Sequence, residues 1–151
     1  MKNIFSKKGF TLIEVLIVIG LIAILAAIVI IAINPARQFA QARNTQRFSD
    51  VNAILNAVHQ NMADNDGNWT CAAGGIPTST TDMDSSSGYD ICTCLVDLYI
   101  AEMPFDPVNG SYTNCSSYDT GYTIVKSTTQ AGRVTVSAPS AELGESISVT
   151  R

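Results

Sequence analysis

The segment Val15–Ile33 runs for nineteen positions without a charged side chain. At ~1.5 Å rise per residue, a helix of that length covers roughly 29 Å, about the hydrocarbon thickness of a bilayer. Ahead of it, residues 1–9 (MKNIFSKKG) hold Lys2, Lys7 and Lys8 and no acid. That asymmetry predicts a cytoplasmic N-terminus with the remainder of the chain outside. A cleaved secretory signal needs a shorter apolar core followed by a small-residue cleavage site. Here the run is long, and Asn34-Pro35 closes it. A single-pass anchor accounts for the run but leaves Glu14 unexplained. A carboxylate in a spanning helix costs ~2.5–3.5 kcal/mol on insertion scales, and an anchor gains nothing from it.

Past Pro35 the helical period resumes and meets no further Pro or Gly until Gly67. Val51, Ile54, Leu55, Val58 and Met62 fall on one face, while Arg37, Arg43, Arg47 and Asp50 mark polar faces. Pro35 removes one helix hydrogen bond, so a bend or local break is expected there. Joined, the two halves from Phe10 to about Ala63 would make a helix on the order of 80 Å long. The organisation expected is a leader at 1–9, an apolar helical half at 10–34, an amphipathic half at 35–64 and a small head at 65–151.

In the head, AAGGIPTSTTDMDSSSG reads as a loop, and CTCLVDLYIAEM as a short helix grouping Leu95, Leu98 and Tyr99. MPFDPVNGSY is turn chemistry, with two prolines and Asn109-Gly110. GYTIVKS and GRVTVSA are β-branched runs joined by a short polar loop, a hairpin signal, and SISVT is a third candidate strand. The fold class is therefore α+β: a long N-terminal helix and a small antiparallel-sheet head.

All four cysteines, Cys71, Cys92, Cys94 and Cys115, follow the apolar run. A lone C-x-C with one remote histidine, His59, fits zinc spacings poorly, so disulfides outside the cytoplasm are expected. Cys92 and Cys94 stand too close to bridge each other easily. Cys71–Cys92 with Cys94–Cys115, which closes two consecutive loops, is preferred over the crossed arrangement.

The junction KKGFTLIE resembles the processing motif of bacterial type IV prepilins and type II secretion pseudopilins. Its elements are a short basic leader ending in Gly9, then Phe10, then Glu14 as the fifth residue after the junction, then the apolar helix. The resemblance implies a pilin-like fold, cleavage between Gly9 and Phe10 by a membrane-embedded prepilin peptidase, and N-methylation of Phe10. It further implies insertion by inner-membrane assembly machinery into a helical homo-oligomeric filament, where Glu14 meets the Phe10 amine of a neighbouring copy. The subunit would sit in the cytoplasmic membrane first and in a surface or periplasmic filament afterwards. The alternatives are a pseudopilin of a secretion or competence machine and an anchored binding domain that never polymerises. MPFDPVNGSY is also similar to a segment that precedes a calcium loop in major pseudopilins, which makes Asp106, Asn109 and Asp119 oxygen-ligand candidates. Turn formation explains the same residues and is preferred, and no metal is expected.

The formal net charge is −4, and losing the three leader lysines would take it to −7. DNA is a possible partner of such filaments, but this charge gives it no electrostatic attraction. No Ser-His-Asp, P-loop or metal motif occurs, so neither enzymatic activity nor a cofactor is expected. His59 is expected to pack or to face solvent, and the arginines to be solvated or to pair with acids between subunits. NWT, NGS and NCS match the glycosylation sequon.

Overall fold

A computed structural model describes residues 9–130 and 132–151. The leader expected at 1–9, with Lys2, Lys7 and Lys8, lies outside the described residues apart from Gly9. Two compact units divide the chain between Gln38 and Phe39, and each is described by itself.

The first unit is built on α1, Leu12–Ile33. Its residues are aliphatic almost throughout, none of its side chains is buried, and its mean hydropathy reaches 3.5. It is long and apolar enough to cross a membrane. It ends at Asn34, whose backbone turns left-handed (φ 47°). The α region is disfavoured immediately before a proline, and Asn tolerates the left-handed one. Pro35 then opens α2, Pro35–Asp64, at the position where its missing N–H removes no bond. Asn34 also caps this second helix, its Oδ1 accepting from Arg37 N at 3.4 Å. The expected break is therefore local.

In the second unit α2 turns one face inward. Val51, Ile54, Leu55 and Val58 are fully buried, with Met62 partly buried against the same core. The helix stops where Asp66 and Gly67 take positive φ and Gly67 N donates back to the Met62 carbonyl.

Against this core stands an antiparallel sheet of β1 (Thr81–Asp84), β2 (Ser111–Asn114), β3 (Ser117–Lys126), β4 (Val134–Ala138) and β5 (Ile147–Thr150). Its order is β1-β3-β4-β5, with β2 also paired to β3. Asp119 of β3 faces Asp84 on one side and Ser111 on the other, so β2 and β4 share one flank of β3 and β1 takes the other. Tyr118, Thr120, Tyr122 and Ile124 alternate inward along β3, and Val134, Val136 and Ala138 do so along β4. The expected hairpin is β3–β4, with Thr123 facing Ser137 and Lys126 facing Val134. SISVT contains β5.

Three expectations need correction. β1 lies in a segment read as loop, and β2 starts at the end of the segment read as turn and runs on to Asn114. Both take strand form because β3 extends back to Ser117 and offers them partners. The short helix α3 is confined to Cys92–Leu95, and Leu98 projects into solvent at 70% exposure while Leu95 is buried.

The disulfides are the third. Cys71 pairs with Cys94 and Cys92 with Cys115, both at a Cα–Cα distance of 5.3 Å. This is the crossed arrangement. On one helical turn, residues two apart point about 200° away from each other. Cys94 thus reaches back to the segment after α2, and Cys92 reaches the β2–β3 turn.

Candidate assembly site

The residues singled out at the N-terminal junction fall on α1 and the turn before it. Gly9 is exposed, and an added Cβ there would meet nothing within 4 Å. Phe10 is 82% exposed. Thr11 is extended (φ −80°, ψ 151°), and its Oγ1 accepts from Glu14 N at 3.3 Å. This is an N-cap, and it satisfies one of the donors a helix start leaves open. Sequence reasoning passed over Thr11, although Thr-x-x-Glu before an apolar run is the signature of a capping box. Glu14 occupies the first turn, where the helix dipole favours a carboxylate. Phe10, Glu14, Val15 and Val18 border one shallow depression of about 300 Å³, so the aromatic and the carboxylate lie on one side of the helix.

In the second unit the calcium candidates have other partners. Asp106 is fully buried and receives the Arg47 guanidinium, Nε at 2.6 Å and Nη2 at 3.2 Å. Its Oδ1 also accepts from the backbone of Val108 (2.9 Å) and Asn109 (3.0 Å). Asn109 Nδ2 donates to Ser140 Oγ, and Asp119 is spent on the backbone N–H of Gly121. Gly110 and Gly121 let the chain close around Asp106. A Cβ on Gly110 would come within 2.6 Å of Asp106 N, and Gly121 has φ +67°. The segment MPFDPVNGSY is therefore a turn wrapped around a buried ion pair. Among the described residues no group of three or more His, Cys, Asp and Glu is placed to hold a metal.

Arg47 does not sit on a polar outer face, and Arg43 is only partly exposed. Arg47 has 1% of its side chain exposed. Its Nη1 donates to Asn44 Oδ1 (3.0 Å) and to Glu142 Oε2 (2.8 Å), and Arg43 grips the same Glu142 through Nε and Nη2 at 2.6 Å each. The acids they meet belong to their own chain. Burial alone would raise the Asp106 carboxyl, but Arg47 and the two backbone N–H groups outweigh it and hold it below its ordinary range. Hydrogen bonds from Arg43 and then Arg47 hold Glu142 at about 2. Asp50 accepts from the Tyr122 hydroxyl at 2.9 Å, and burial raises its pKa. His59 donates Nδ1–H to the Leu55 carbonyl at 2.7 Å, half-buried on its helix.

Residues 4–33 match the family model of the prokaryotic N-terminal methylation motif. This stretch is the prepilin signature of type IV pilins and pseudopilins, and it makes the N-terminal segment of the chain pilin- or pseudopilin-like. Comparison with curated proteins and with solved structures gave no match.

Proposed function

We propose that the chain is a structural subunit of a type IV pilus-like filament serving motility, adhesion or DNA uptake. A prepilin peptidase cuts between Gly9 and Phe10 at the cytoplasmic face, the new Phe10 amine is methylated, and α1 holds the subunit in the membrane until assembly. Cleavage on that side keeps the apolar helix, which then becomes packing surface in the filament core. The observation that carries this reading is α1 itself. It is a capped helix of 22 residues with no buried side chain, whose single carboxylate, Glu14, stands one turn from the new amine. In a filament the Phe10 amine of an incoming copy meets Glu14 of its neighbour. An unpaired buried charge is heavily penalised, so the pair favours one axial register. N-terminal mass analysis of the membrane or filament form tests the processing step. A start at methylated Phe10 is expected. An intact Met1, or a start beyond Ile33, contradicts it.

A further inference from the structure

Three arginines lie in the first four turns of α2, and the fold uses two of them. Arg43 and Arg47 are matched by Glu142 and Asp106. Arg37 is exposed, and its neighbours one turn away on either side, Ile33, Asn34, Ala40 and Gln41, include no acid. Around the arginine network one acid is in surplus. Glu145 accepts a hydrogen bond from Asn44 Nδ2 at 3.0 Å and makes no ion pair among the described residues. It lines an open groove of about 510 Å³ between α2 and the start of β5, with Thr45, Phe48, Ser146 and Ser148. Phe48 stands 56% exposed there. α2 thus offers an unmatched cation at Arg37, and the groove offers an unmatched acid beside an exposed aromatic, Phe48.

Resting on the filament reading, we propose that this groove receives Arg37 of a second copy of the chain, paired to Glu145. Such a contact is head-to-tail, the kind that generates open helical polymers. It sets the second copy ahead by seven residues, since Arg37 meets the level of Asn44, the residue that holds Glu145.

The test uses the full-length chain in its own cells, reading sheared filament yield. Arg37→Glu or Glu145→Arg alone is expected to lower yield about tenfold, because like charges then face each other. Glu145→Gln, which keeps the acceptor for Asn44, should lower it about two- to fivefold. Arg37→Glu combined with Glu145→Arg should restore it. All four native cysteines are bonded, so in an Arg37→Cys, Glu145→Cys chain a short bismaleimide reacts at the introduced thiols. A ladder of covalent oligomers is expected. Failure of the charge swap to rescue, or cross-linking confined to monomers, overturns this contact while wild-type filaments and their dependence on Glu14 leave the filament reading intact. Absence of wild-type filaments overturns the filament reading, and the contact with it.

Discussion

Arg47 Nε lies 2.6 Å from Asp106 Oδ2 across 59 residues of sequence, and neither side chain is open to solvent. This pair ties the second helix to the turn that precedes β2. Asn44 extends the tie by accepting from Arg47 and Glu142 N and donating to the Glu142 carbonyl. No buried side-chain polar atom among the described residues is left without a partner.

Removing one member of that pair should be expensive. Arg47→Met strands a buried carboxylate and is expected to destabilise the protein by ~3–5 kcal/mol. Asp106→Asn added to it keeps an acceptor for the Val108 and Asn109 N–H groups and removes the stranded charge, so much of the loss should return. Thermal or denaturant unfolding of the two variants checks this. Equal stability of wild type and Arg47→Met contradicts a structural role for the pair.

The network also sets an acid limit. Glu142 has an ordinary value of 4.5 and is held at about 2 in the fold. The unfolded state therefore takes up protons first, and the contribution is present above about 4.5 and lost as pH falls toward 2. Asp106, also lowered, acts in the same direction. Asp50, raised by burial, acts oppositely and softens the upper part of the slope. The melting temperature should fall through this window, and Glu142→Gln should flatten the fall. An unchanged pH profile in that variant would contradict the assignment.

Non-reducing peptide mapping should recover Cys71 linked to Cys94 and Cys92 linked to Cys115. Recovery of Cys71 with Cys92 and Cys94 with Cys115 would contradict the crossed pairing.

The helices and the β3–β4 hairpin were legible because each carries its own period: unbroken apolarity in α1, a 3.6-residue stripe in α2, β-branched runs in the hairpin. β1 was not, since Thr-Asp-Met-Asp has little strand propensity and is extended only because β3 lies beside it. Arg47 was misread for a related reason. Charge alone points outward, and what brings it inside is Asp106, far away in sequence. The cysteine pairing depended on the direction of two side chains on one helical turn, which spacing does not encode. At the junction the capping role of Thr11 was available from Thr-x-x-Glu. There the sequence motif and the local structure coincide because everything involved is within one turn.

The most direct test of the whole account is filament yield from Glu14→Ala and Glu14→Gln chains, measured beside the processed subunit left in the membrane. Both variants make α1 more apolar, so insertion and cleavage should continue. The α2–sheet unit should fold unchanged. Incorporation should fail, because the incoming Phe10 amine loses its buried partner, a loss of ~3–5 kcal/mol. The account predicts processed monomer accumulating in the membrane with few or no filaments. Wild-type filament yield from Glu14→Ala would contradict it and leave α1 as a plain anchor.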